Sequence, residues 1–106
     1  MKVYEIILQQ IGGYKRLVSF LGAKNFVYSE SDKDGYWLSF RLPNRLSKDG
    51  INYIKIELNI GLDVYEIEFG KVGKTSYKVV KKLDVVYCDQ LVDLIEENTG
   101  LYLSFW

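Results

Sequence analysis

A chain of 106 residues, 48% apolar and 26% charged, is long enough to bury one hydrophobic core and too short for two ordinary ones. That balance excludes a disordered polymer, and fourteen basic residues against fourteen acidic ones exclude a global pull toward nucleic acid or an acidic membrane. With no histidine and a single cysteine, Cys88, the chain lacks an imidazole base, a Ser-His or Cys-His pair, an intrachain disulfide and the ligands of a structural zinc site.

The N-terminal stretch does not have the form of a signal peptide, because Glu5 interrupts its apolar run, and no apolar run approaches the length of a membrane span. One unpaired thiol suits a reducing compartment. The expectation is therefore a cytoplasmic protein with no membrane partner and no cofactor.

Residues 3–11 place Val3, Ile6, Ile7, Gln10 and Ile11 near one face at helical spacing. Gly12 and Gly13 break that helix. Residues 14–21 repeat the pattern, with Tyr14, Leu17, Val18 and Leu21 on one stripe and Gly22 as a stop. Two short helices around a Gly-Gly turn predict a helical hairpin that must dock on something to persist.

From Asn25 onward the period becomes two. Residues 26–29 predict a strand, and residues 31–35 a polar turn closed by Gly35. Residues 36–42 alternate: Tyr36, Leu38, Phe40 and Leu42 on one face, Trp37, Ser39 and Arg41 on the other. Pro43 ends that strand. Residues 51–60 set Ile54, Ile56, Leu58 and Ile60 against Tyr53, Lys55, Glu57 and Asn59. Residues 64–70 set Tyr65, Ile67 and Phe69 against Val64, Glu66 and Glu68. Residues 76–82 predict a fifth strand.

Asp84 is the expected N-cap of a closing helix whose stripe is Tyr87, Leu91, Leu94, Ile95 and Asn98. Gly100 stops it, and an apolar tail follows over residues 101–106. Short connections favour antiparallel neighbours. The fold class is α+β, one domain over residues 1–106. It is an antiparallel β-meander of about five strands, with an N-terminal helical hairpin and a C-terminal helix covering one face.

Few groups carry chemistry. Cys88, near the start of the last helix, reads as a small buried hydrophobe rather than a reactive thiol, since Asp84 and Asp89 oppose a thiolate. Glu57, Glu66 and Glu68 read as a solvated sheet face, with Lys55 or Lys78 as cross-strand partners, rather than a catalytic pair. Asp32, Asp34 and Gly35 lack the remaining ligands of a calcium loop. Residues 70–75 have the wrong glycine spacing for a phosphate loop and precede a strand where that loop needs a helix. The expectation is a protein that is not an enzyme.

Two binding readings remain. Aromatics make up 15% of the chain, including nine Tyr and two Trp, and such side chains are enriched where proteins meet. Trp37, Tyr53, Tyr102, Phe105 and Trp106 are the candidate anchors for a protein partner, and the tail is also a candidate homodimer contact. The alternative is single-stranded nucleic acid. Residues 71–82 hold five lysines and no acid, and Arg41, Lys71, Lys74, Tyr77, Lys78 and Lys81 are the candidates for a stacking platform. The RRM sequence signature is absent, and the lysines equally suit protection of an edge strand.

Blocks spanning nearly the whole chain carry a resemblance. They are Leu21-Gly22-Ala23-Lys24-Asn25-Phe26-Val27, Leu38-Ser39-Phe40-Arg41-Leu42-Pro43, Gly50-Ile51-Asn52-Tyr53, Val64-Tyr65-Glu66-Ile67-Glu68-Phe69-Gly70, Val86-Tyr87-Cys88-Asp89-Gln90-Leu91 and Thr99-Gly100-Leu101-Tyr102. In this order they resemble a family of small, uncharacterised proteins encoded by bacteriophages, prophages and integrative elements. The resemblance implies a mobile-element origin and a bacterial host cell. It carries over no catalytic residue.

Overall fold

A computed structural model describes residues 2–44 and 46–103. Five strands form one antiparallel sheet in sequence order: β1 (Lys24–Ser31), β2 (Gly35–Arg41), β3 (Tyr53–Asn59), β4 (Val64–Val72) and β5 (Tyr77–Val86). Helix α1 (Val3–Gln10) precedes them, followed by α2 (Tyr14–Arg16), which runs into a π turn over Leu17–Leu21. A 3₁₀ turn (Cys88–Gln90) and helix α3 (Leu91–Thr99) follow. The expected α+β meander is the observed fold.

The alternation of period two sets the core. Leu38, Ile56, Ile67 and Leu83 form one rung across four strands, Phe40, Ile54 and Phe69 the next, and Tyr36, Leu58, Tyr65 and Val86 a third. Ile7 and Ile11, Leu17 and Leu21, and Leu91 and Ile95 cover these rungs from the helical side, all buried in one cluster. Leu103 joins the same core. The helical layer therefore lies on one side of the sheet, and the other face is left open.

Two polar contacts fix the frame. The Glu30 carboxylate on β1 accepts the backbone N–H groups of Val3 (3.1 Å) and Tyr4 (2.6 Å). A carboxylate at a helix N-terminus satisfies orphan donors and opposes the helix dipole favourably. At the other end of α1, the Tyr65 hydroxyl donates to Gln10 (2.7 Å), so the helix is tied at both ends. Buried Asn52 accepts from the Val72 N–H (2.7 Å) and donates to the Val72 carbonyl (3.0 Å) and to Asn44 (2.9 Å). Its amide thus extends the β3–β4 pairing past the last backbone ladder.

Several expected boundaries shift. The second helix widens into the π turn, and the extra residue narrows the buried stripe to Leu17 and Leu21 while Tyr14 and Val18 stay exposed. Strand β1 is longer than expected at both ends, with a bulge where Asn25 takes a positive φ. Ile60 falls in the β3–β4 turn and is exposed. Asp84 is not an N-cap. It lies in β5, which continues to Val86 because buried Val86 pairs with Tyr65. The helix start is set instead by Gln90, whose side chain accepts the Tyr87 N–H (2.9 Å). Tyr87 is outside the helix and exposed.

Strand β5 carries two irregularities against β4. Val80 is an extra residue between Val79 and Lys81, and Asp84 and Val85 together face the Glu66 position. Val85 has φ +53° and is exposed. A β-branched residue in the left-handed region is a true outlier. Glycine is the usual occupant of a bulge with this conformation.

Two outcomes test this frame. Val85→Gly relieves about 1–2 kcal/mol of left-handed strain and gives back about 0.5–1 kcal/mol of chain entropy. A net rise in melting temperature of a few degrees is expected, and an unchanged or lower value would show that the bulge is unstrained. Glu30→Ala leaves α1 without its N-terminal acceptor and is expected to cost about 1–2 kcal/mol. The urea midpoint should fall and α1 amides should exchange faster.

Candidate functional site

The open face is built from the alternate residues of the same strands. Trp37, Glu57 and Glu66 lie side by side on β2, β3 and β4. The next rung runs Val27, Ser39, Lys55, Glu68 and Lys82 across all five strands. The third runs Lys24, Arg41, Tyr53, Gly70 and Val79. Lys55, Glu57, Glu66, Glu68 and Lys82 line a shallow depression at its centre.

Each aromatic on this face is held in place. The Trp37 indole N–H donates to the Asp34 carbonyl in the β1–β2 turn (3.0 Å). The Lys55 ammonium sits 4.7 Å from the Trp37 ring centroid and 3.8 Å from a Glu57 oxygen. A cation over tryptophan is the strongest pairing of its kind, so Trp37 is pinned at its edge and on its face. Tyr53 meets Tyr77 edge to face at 5.4 Å. The Tyr77 hydroxyl donates to Glu68 (2.6 Å) and its ring lies over Gly70, where any side chain would collide with it. Ser39, although on the open face, is buried to 3% beneath its larger neighbours and forms a floor between Trp37 and Arg41.

The sequence-predicted protein anchors divide. Trp37 and Tyr53 share the open face, two rungs apart. Tyr102 is exposed beside buried Leu103, which packs into the core beneath the helical layer. Phe105 and Trp106 lie outside the described residues. The nucleic-acid candidates divide as well. Arg41 and Tyr77 are on the open face. Lys71 and Lys78 oppose each other one position over, and Lys81 pairs with inward Phe69, so these three lysines alternate away from Tyr53 and Tyr77. Lys74 sits in the β4–β5 turn.

The carboxylate reading is met in its geometry: Glu57 pairs with Glu66, and Lys55 lies opposite Glu68. Lys82, rather than Lys78, is the β5 partner of Glu68. Cys88 is exposed in the 3₁₀ turn, not a buried hydrophobe, because the extension of β5 carries it beyond the core. No group of three His, Cys, Asp or Glu side chains among the described residues is placed to hold a metal ion. No described helix is long and apolar enough to cross a membrane. Comparison of the chain with protein-family models, curated proteins and solved structures finds no match in any of the three.

Burial pushes the Tyr77 phenol well above its ordinary range, and the bond to the Glu68 carboxylate pushes it the same way. The residue stays 43% exposed, but its hydroxyl is the part lodged against Gly70 and Glu68. A raised folded-state value means that this stability is fully present below the unfolded value of about 10. It is lost as pH rises beyond that, because the unfolded chain then releases a proton that the folded chain retains. Urea unfolding from about pH 8 to pH 11.5 should show a steeper alkaline decline for the natural chain than for Tyr77→Phe.

Proposed function

We propose that this protein is a non-enzymatic binding module of a phage or mobile element that recognises a host or phage protein through the open face of its sheet. The supporting observation is that face itself. One side of the meander is covered by the helical layer, and the other presents two held aromatics, Trp37 and Tyr53, among carboxylates and amines of both signs. Aromatics fixed before contact lose little freedom on binding and serve as anchors. Alternating charge on a flat surface selects a complementary protein surface and rejects uniform ones.

Single-stranded nucleic acid fits this face less well. Glu57, Glu66 and Glu68 lie between the aromatics and the basic edge, and carboxylates repel a phosphate backbone. Three of the candidate lysines alternate off the face. The resemblance to mobile-element proteins supports a bacterial host cell as the setting, with the cytoplasm as the proposed location.

Capture from phage-infected cells with the natural chain, Trp37→Ala and Tyr53→Ala as baits tests the proposal. A protein held by the natural chain and lost from both variants is expected, since truncating an aromatic anchor costs about 2 kcal/mol or more, roughly thirtyfold in affinity. Equal recovery by all three baits, or none by any, refutes it. Filter binding of oligo-dT over a salt series is the parallel arm, and tight binding that falls steeply with salt would assign the face to nucleic acid instead.

A further inference from the structure

The carboxylates of the open face are confined to two strands. All its carboxylates within the depression, Glu57, Glu66 and Glu68, stand on β3 and β4. The corner made by β1 and β2 holds Lys24 and Arg41, directly opposite each other in the register. Like charges at opposed positions of an antiparallel pair are destabilising. Neither forms an ion pair with a described carboxylate. The rung they share continues through Tyr53, Gly70 and Val79 and holds no acid. Glu68, on the neighbouring rung, is two strands from Arg41, about 10 Å across the sheet, and is already bonded to Tyr77.

Arg41 adds a second, independent observation. Its Nε is shut off from solvent and, among the described residues, has no hydrogen-bond partner. A buried unpaired donor on a cation is costly, and a counter-charge beside the group lowers that cost. Lys71 and Lys78 are also opposed, but each, like Lys24, is an exposed flexible side chain, and neither faces a half-buried guanidinium with an orphaned donor.

From this corner we infer a carboxylate-recognition subsite: Arg41, assisted by Lys24, receives an Asp or Glu side chain of the protein partner. The inference rests on the open face being the binding surface. The guanidinium fork suits a carboxylate held in two-point contact, with Lys24 supplying a further charge. A carboxylate against the accessible part of the guanidinium neutralises a cation whose own Nε has no partner, and offsets its repulsion with Lys24. A phosphate polymer is disfavoured, because its continuing negative charge would run onto Glu57, Glu66 and Glu68. A protein partner instead offers an acid to Arg41 and bases to those glutamates.

A display selection of random twelve-residue peptides, with the natural chain, Arg41→Met, Arg41→Lys and Trp37→Ala as baits, tests this subsite. The natural chain is expected to enrich peptides with an acidic residue at one fixed position. Synthetic copies should lose about tenfold or more in affinity when that residue becomes Asn or Gln, or when the bait is Arg41→Met. Arg41→Lys should recover only part of the loss. Arg41→Met should melt no lower than the natural chain, since it removes a repulsion and an unpaired donor. Enriched peptides that depend on Trp37 but show no fixed acid, or bind Arg41→Met equally, overturn the subsite and leave the open face standing as a protein-binding surface. Peptides indifferent to both Trp37 and Arg41 overturn both readings. Oligo-dT binding abolished by Arg41→Met would replace the carboxylate with phosphate and also overturn the subsite.

Discussion

The alternation of side chains along β2, β3 and β4 governs everything else in this protein. Each of those strands sends Leu, Ile, Phe or Tyr to one side and charged or aromatic-polar residues to the other. A sheet with one apolar face has to be covered once. The chain supplies that cover from both ends, with α1 and the π turn before the sheet and α3 after it. None of these helical segments is long enough to persist alone, so they exist because the sheet gives them a surface. The open face is the direct consequence: with the helical residues committed to one side, the other is left uncovered.

Most of the fold was legible because period-two patterning is a strong signal wherever one face is buried. The inward sets of β2, β3 and β4 followed from residues such as Leu38, Ile56 and Ile67, and Gly22 and Gly100 marked helix ends that do take left-handed conformations. Failures fell where local chemistry was outweighed by pairing. Asp84 looks like a helix cap, yet the packing of Val86 against Tyr65's strand position keeps the chain extended past it. The π turn was invisible because four-residue spacing of Leu17 and Leu21 is shared by both helix types. Bulges at Val80 and Val85 leave no pattern in a stretch rich in Val and Lys.

The site was only half legible. Trp37, Tyr53 and the three glutamates could be put on one face from alternation alone. Their order across the sheet could not, since it depends on strand register: the meander brings Lys55 over Trp37 and Tyr77 over Gly70. The basic run over residues 71–82 misleads for the same reason. Five lysines close in sequence suggest a patch, but Lys71 is on β4, Lys74 is in the turn, and alternation with the Val80 bulge puts Lys78 and Lys81 on one side of β5 and Lys82 on the other. Cys88 misleads in the opposite direction. Thiols favour burial, but a strand that ends four residues later than expected carries it out to solvent.

Two features of the sheet are unfavourable in the isolated chain, and they lie far apart on it. Val85 spends backbone strain at one edge, in a position where glycine would serve. Arg41 and Lys24 oppose each other toward the other edge, and the Arg41 Nε is buried with no partner among the described residues. Strain and unpaired charge persist when the surroundings over-determine them or when function requires them. At Val85 the surroundings are sufficient: the flanking inward residues Leu83 and Val86 both pair with β4, so the intervening two residues must bulge. At Arg41 no such compulsion exists, because an apolar or neutral side chain would occupy the same ladder position without repelling Lys24. The two defects therefore differ in kind: the one at Val85 follows from packing, and the one at Arg41 is what the proposed carboxylate subsite would relieve.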